Sequence, residues 1–201
     1  MFNVARQTPS TVALDTDALA NTPRESDPYN YVIVPGFVRK DALPAIHDTY
    51  PEIDQPGSFP HQSLAFGPAF SALLDELQGP KMRAAIEKVF DIDLTGRPTT
   101  VTVRGHCQLK DGRIHQDSSE KIITVLVYMN PAWEESGGQL RVLRSDKNLE
   151  DYAAEVPPAE GTLVAFQRSD RSHHGHQPFE GQRRVLQLNW VTSDKFATRE
   201  R

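Results

Sequence analysis

Cysteine is nearly absent: the 201 residues hold one, Cys107. A lone thiol excludes an intramolecular disulfide, and with it the small stapled folds of the secreted class. Excess positive charge is missing too. The 22 Lys and Arg are outnumbered by 27 Asp and Glu, for a formal net charge of −5. The chain therefore lacks the broad positive field of most nucleic-acid or anionic-membrane binders. No window approaches the roughly 18 apolar residues of a membrane span, and the first residues, Met1 to Ser10, contain no apolar stretch of signal-peptide type. These absences lead us to expect a cytoplasmic protein without a nucleic-acid or membrane partner. Its 38% hydrophobic and 24% charged residues suit a globular chain long enough to bury a sizeable core.

Residues 1–28 are polar and interrupted by Pro9, Pro23 and Pro28. They read as a mobile N-terminal arm, with a short packed piece near Val12–Leu19, ahead of one domain over 29–201. Tyr31–Phe37 reads as a strand ended by Pro35-Gly36. Asp41 is placed to cap a helix running to about Tyr50. Phe70, Leu73, Leu74 and Leu77 form the stripe of a helix from Pro68. Met82, Ile86, Val89 and Phe90 do the same for a helix from Pro80. Beyond Arg97 the period shortens to two. Strands are expected over 101–108, 122–128, 139–143, 162–166 and 184–191, with turns at Gly137-Gly138, Glu160-Gly161 and Gly181-Gln182. Three helices before seven or eight short strands predict an α+β fold, a sandwich or barrel buttressed by helices.

The chemistry lies in His115-Gln116-Asp117. Residues i and i+2 of an extended segment project to one side, so both side chains can hold one ion. Alone the pair is weak evidence. It gains weight from Ser172-His173-His174-Gly175-His176, three imidazoles in four residues. His174 and His176 share one face of an extended segment and His173 the other. Two imidazoles and a carboxylate can cap one face of an octahedral Fe(II) ion, leaving three positions open. In the strand 184–191, Arg184, Leu186, Leu188 and Trp190 alternate with Val185, Gln187 and Asn189. The first set is the larger and more apolar, so it is expected to face inward and to carry Arg184 with it. A buried Arg needs an anion, and a bidentate carboxylate ligand would satisfy it. Tyr128 shares a face with Ile122, Thr124 and Leu126, and its hydroxyl is placed to donate to the same carboxylate.

Residues 115–192 resemble the catalytic core of Fe(II)/2-oxoglutarate-dependent dioxygenases, in the prolyl-4-hydroxylase-like branch. The resemblance rests on His115-Gln116-Asp117, on Tyr128-Met129-Asn130 with Trp133 and Gly137-Gly138-Gln139-Leu140, on Gly161 to Phe166, and on the spacing of His174, Pro178, Arg184 and Trp190. It selects His174 among the three imidazoles and Arg184 as the basic anchor. Gly181 falls three residues after Pro178, where many relatives have four, so Arg183 stays open as a second choice. The resemblance implies a double-stranded β-helix (a jelly-roll, cupin-like architecture). Fe(II) would be held by His115, Asp117 and His174. The distal carboxylate of 2-oxoglutarate would lie at Arg184 and Tyr128, its methylenes along Thr124, Leu126, Leu140 and Leu188. With O₂, such an enzyme hydroxylates a C–H bond of a protein prolyl residue, an amino acid or a small metabolite, releasing succinate and CO₂.

Segments Asp54–Gly67, around His61 and Phe66, and Ser145–Glu160 are expected to shape the mouth, with Arg104 and Gln108 facing the pocket. Two rivals remain at this stage. One is a cupin-type metal-binding jelly roll, an isomerase or sugar-binding module without 2-oxoglutarate. The other is a non-catalytic interaction domain on the same fold.

Overall fold

The computed structural model describes residues 12–199. Both long helices start where Gly-Pro pairs place them. α3 (Pro68–Leu77) and α4 (Pro80–Phe90) each carry proline in the first turn, where a missing N–H costs nothing. Their stripes, Phe70, Leu73, Leu74 and Leu77 and then Met82, Ile86, Val89 and Phe90, are buried as the spacing predicts. α4 ends at Asp91, which takes the left-handed conformation at φ 53°. The two shorter N-terminal helices are α1 (Thr16–Asn21) and α2 (Leu43–Asp48). α2 starts later than expected. Its first turn is entered through Ala42, not capped by Asp41, and Pro44 sits at its start.

Nine strands follow the chain among the described residues: β1 (Tyr31–Val34), β2 (Phe59–Pro60), β3 (Thr99–Cys107), β4 (Lys121–Tyr128), β5 (Leu140–Leu143), β6 (Tyr152–Val156), β7 (Leu163–Gln167), β8 (His174–Gly175) and β9 (Gly181–Val191). Six pair in the order β1-β7-β4-β9-β3-β2, and three in the order β6-β5-β8. Leu126, Tyr128, Val164 and Val185 of the larger sheet pack against Leu140 and Val156 of the smaller, so the two sheets close face to face. This is the expected double-stranded β-helix. β6 lies inside the segment 145–160 expected to shape the mouth; no strand was expected there, because Tyr152-Ala153-Ala154 has no alternation of apolar and polar residues. A C-terminal helix, α5 (Asp194–Arg199), was not foreseen.

The six-stranded sheet has two faces of different character. Its outer face presents Val101, Val103, Ile123, Val125, Val127, Leu163, Ala165, Leu186, Leu188 and Trp190 to the stripes of α3 and α4, forming the main core. The opposite parity of β4 and β9 faces the smaller sheet: Thr124, Leu126 and Tyr128 pair across the ladder with Asn189, Gln187 and Val185. Of the arm expected over 1–28, residues 1–11 lie outside the described residues, residues 13–19 pack on the domain as the expected short piece, and residues 23–27 are exposed. Leu14 and Leu19 are buried, and the backbone N–H groups of Ala13 and Leu14 donate to the Glu76 carboxylate, both at 2.9 Å. No helix among the described residues is long and apolar enough to cross a membrane.

Leu188 therefore sits in the helix-side core, not along the cavity. Leu188→Ala is expected to cost about 2–5 kcal/mol of stability by opening a void there, read as a lower urea midpoint. It should leave small-molecule binding in the cavity unchanged, as measured by titration calorimetry.

Candidate metal and cosubstrate site

His115 and His174 come together through the backbone. They form an antiparallel bridge in which each N–H donates to the other's carbonyl at 3.0 Å. Directly opposed residues of such a pair project to the same side, and the two imidazole centroids lie 4.3 Å apart. Asp117, two residues past His115, joins them, and one ligand atom from each of the three lies within 4.8 Å of the others. The donor set suits a divalent ion. His115 Nδ1 lies 2.8 Å from Arg113 O, and His174 Nδ1 lies 3.0 Å from Ser172 O. A carbonyl only accepts, so each Nδ1 carries the proton and each Nε2 keeps its lone pair for a ligand.

Electrostatics favour the same state. His174 is buried, and its pKa is pushed down to about 4, by burial first and then by His115. It stays neutral, the form that ligates metal. For Asp117, burial works to raise the pKa. The Lys121 ammonium, His174 and the Thr124 hydroxyl outweigh it, and the carboxyl stays below its ordinary value. Thr124 donates to Asp117 Oδ2 at 2.5 Å, and Lys121 Nζ lies 2.9 Å from Oδ1. Both carboxylate oxygens are thereby oriented.

The three side chains line a cavity of about 210 Å³ between the sheets, together with Thr124, Leu126 and Leu140. Arg183, not Arg184, enters it. The Arg183 side chain is buried. Its Nε donates to Gly138 O at 2.9 Å, and its Nη2 donates to the Tyr128 hydroxyl at 3.3 Å. No carboxylate of a described residue pairs with this guanidinium. Tyr128 is fully buried, and burial raises its pKa. Its hydroxyl keeps its proton and, already accepting from Arg183, has that proton to donate.

Arg184 points to the other face, where its guanidinium lies 5.0 Å from the Tyr50 ring centroid. The inward assignment of Arg184 failed because it took the more apolar face for the cavity face. That face packs on the helices, and the cavity wall is the more polar parity of Arg183, Val185, Gln187 and Asn189. The same parity removes Leu188 from the cavity wall. The signal that would have found Arg183 is the register of β9 with β4, which sets Val185 opposite Tyr128.

Several residues went unremarked or unresolved in the sequence. Lys121, Thr102, Ser58 and Gln187 line the cavity, as does Arg104, which was expected there. His176 lines it as well, behind Gly112. At φ +81°, Gly112 has no room for a Cβ, which would fall 2.3 Å from the His176 ring. Its pKa too is pushed down to about 4, by burial and then by Arg183. His173 faces a separate cavity beside Arg144 and Arg171. Of the other mouth residues, His61 Nδ1 lies 3.2 Å from Val101 O, Phe66 packs on the helix-side core, and Gln108 does not line the cavity.

Comparison with known proteins agrees with this geometry. Residues 103–192 match the family model of the 2OG-Fe(II) oxygenase superfamily. No curated protein matches the chain by sequence. Among solved structures, a prolyl-4-hydroxylase from Pseudomonas putida is similar at 18% identity and a TM-score of 0.57, covering 96% of this chain and 99% of that one. A viral collagen prolyl hydroxylase from Paramecium Bursaria Chlorella virus-1, solved as its 2OG complex, is similar at 17% identity and a TM-score of 0.57, covering 83% and 99%. A prolyl 4-hydroxylase from Phytophthora capsici is similar at 17% identity and a TM-score of 0.59, covering 98% and 71%. Residues 103–192 therefore carry a match to the 2OG-Fe(II) oxygenase superfamily, whose enzymes use Fe(II), 2-oxoglutarate and O₂, and the fold is one shared with prolyl-4-hydroxylases.

Proposed function

We propose that the protein is an Fe(II)- and 2-oxoglutarate-dependent hydroxylase in which His115, Asp117 and His174 hold the metal and Arg183 with Tyr128 holds the distal carboxylate of 2-oxoglutarate. The observation that carries this reading is the pairing of two features in one cavity. One is a His–Asp–His cluster in which each Nδ1 is engaged by a backbone carbonyl, leaving Nε2 for a ligand. The other is a buried guanidinium without an acidic partner. Bound Fe(II) supplies the redox chemistry that couples oxidative decarboxylation of 2-oxoglutarate to insertion of oxygen into a C–H bond, with succinate and CO₂ released.

The chain's own residues bind, orient and exclude water. Thr124 and Lys121 fix the Asp117 carboxylate, and the carbonyls of Arg113 and Ser172 fix the imidazole tautomers. Along β4, Thr124 contacts Asp117 while Tyr128 contacts Arg183, a separation of roughly 13 Å at strand rise. Leu126, between them, and Leu140 would cover the methylenes of the cosubstrate. Arg183 and the Tyr128 proton would hold its carboxylate in a dry site, where such bonds are strongest. A cupin-type module without 2-oxoglutarate has no use for that buried cation, which weighs against the alternative. The acceptor would be a peptide or a small molecule, and the cytoplasm is the compartment that the single cysteine favours.

Two outcomes test this reading. In anaerobic titrations with Mn(II) present, Arg183→Met is expected to weaken 2-oxoglutarate binding by about 100-fold or more, the scale of a lost buried charge pair, while Mn(II) affinity stays within about threefold. Arg184→Met should do neither, and a larger effect from Arg184 would reverse the anchor assignment. The second concerns pH. His174 has a folded pKa of about 4, well below the ordinary 6.5. The stability this neutral ring contributes is complete above 6.5 and is lost as pH falls toward 4, because the unfolded chain takes up the proton first. Metal-free protein should therefore lose stability relative to His174→Asn across that window in urea unfolding. A difference that does not change with pH would show that His174 is not held neutral.

A further inference from the structure

The cavity as a whole is basic and largely polar. Three cations line the cavity, Arg104, Lys121 and Arg183, against one lining carboxylate, Asp117. Arg104 is neutralised in part by Asp111 at 3.0 Å, and its Nη2 donates to Ser58 Oγ at 3.1 Å. If Arg183 is taken up by 2-oxoglutarate, as the reading above requires, the dianion and Fe(II) cancel in charge. Asp117 and Asp111 then offset two of the three cations, and one positive charge is left without a partner. Lys121 is where that excess is felt. Its side chain is 13% exposed, and Asp117 is its one acidic partner among the described residues. A carboxylate shared with a divalent cation no longer compensates an ammonium beside it, because two positive charges a few ångströms apart in a poorly solvated cavity repel strongly.

Other residues of the cavity wall are polar as well. Thr102 and Gln187 sit opposite each other in the β3–β9 register, and both line the cavity with Ser58. The apolar wall is elsewhere: Phe166 packs on His174 at 4.6 Å, and Leu126, Leu140 and Val185 belong to the cluster that includes Tyr128. A neutral pyrrolidine ring in a peptide calls for an apolar slot. A cluster of ammonium, guanidinium, hydroxyl and amide groups calls for an anion.

We propose that the acceptor is a small molecule bearing an anionic group, a carboxylate or a phosphate, that pairs with Lys121 in a cavity whose wall also carries Thr102, Arg104 and Gln187. This assignment rests on the Fe(II)/2-oxoglutarate reading of the site. Lys121 is then a specificity residue, and the metal ligands and Arg183 serve any acceptor.

The test is equilibrium binding under anaerobic conditions, with Mn(II) in place of Fe(II). Mn(II) and 2-oxoglutarate are titrated first. The probes follow: N-acetyl-L-amino acids against their carboxamides, sugar monophosphates against the free sugars, and a blocked prolyl tripeptide. Anionic members are expected to bind saturably and their neutral counterparts about tenfold or more weakly. The two pairs of probes separate a carboxylate from a phosphate acceptor. Lys121→Gln should lower affinity for the anionic probes by about tenfold, the loss of one desolvated ion pair, and Lys121→Arg should restore it to within about threefold. Because Lys121 also orients Asp117, Mn(II) and 2-oxoglutarate affinities are measured in both variants and the probes are compared with each variant saturated in both. Equal binding of neutral and anionic partners, no effect of Lys121→Gln, binding by the prolyl tripeptide alone, or binding by no anionic probe would each overturn the acceptor assignment while the oxygenase site stands. Failure of Mn(II) and 2-oxoglutarate to bind overturns the site reading, and the acceptor assignment falls with it.

Discussion

Two backbone hydrogen bonds, each 3.0 Å long, join His115 to His174 and bring the site into being. The ligands are far apart in sequence, and nothing in their side chains draws them together before a metal arrives. The ladder supplies that contact. A shift of one residue would put His173 or Gly175 opposite His115 and turn the ring to the wrong face, since parity decides direction on a strand. Neighbouring residues hold the pairing in place. The His176 N–H donates to Gly112 O at 2.8 Å, and Gly175 allows Gly112 O to approach to 2.7 Å of where a Cβ would stand. The loop before His115 can close this tightly because both positions are glycine.

The division of the larger sheet into two faces explains why parts of the protein were legible in sequence and others were not. α3 and α4 were read to the residue because Gly-Pro pairs and 3.6-period stripes act locally. β4 and β7 were read to within a residue because short apolar runs bounded by turn signals and buried on both faces have few other uses. The positions of His115 and Asp117 followed from an i, i+2 spacing. Choosing His174 over His176 needed a family resemblance, since both share a face and both line the cavity. Arg184 was misassigned for a physical reason. Apolar alternation identifies the face with the larger core, which here is the helix side. An inner face that must hold a polar cosubstrate gives up apolar surface, so hydrophobicity points away from it. Cross-strand register, a tertiary fact, was needed to put Arg183 beside Tyr128. The strand Tyr152–Val156 escaped notice because, apart from Val156, the residues it packs inward are short alanines.

The same site pulls the molecule's stability in the opposite direction from its chemistry. A buried guanidinium with two protein acceptors and no carboxylate, and an ammonium held against a carboxylate that would serve a metal, are each unfavourable on their own. The helix-side core, which packs one whole face of the sheet against α3 and α4, offsets that cost and keeps the inner face in register. Charge that is uncompensated without ligands becomes binding energy when they enter, and the donors need not reorganise to deliver it. On this view the order of events follows from charge. A metal held there would neutralise the electron-rich end made by Asp117 and the two imidazoles, a dianionic cosubstrate would then meet a cavity lined by Arg104, Lys121 and Arg183, and the remaining positive charge at Lys121 would be left for an acceptor. An anionic acceptor arriving first would compete with 2-oxoglutarate for Arg183, so the cavity's charge favours a fixed sequence of binding.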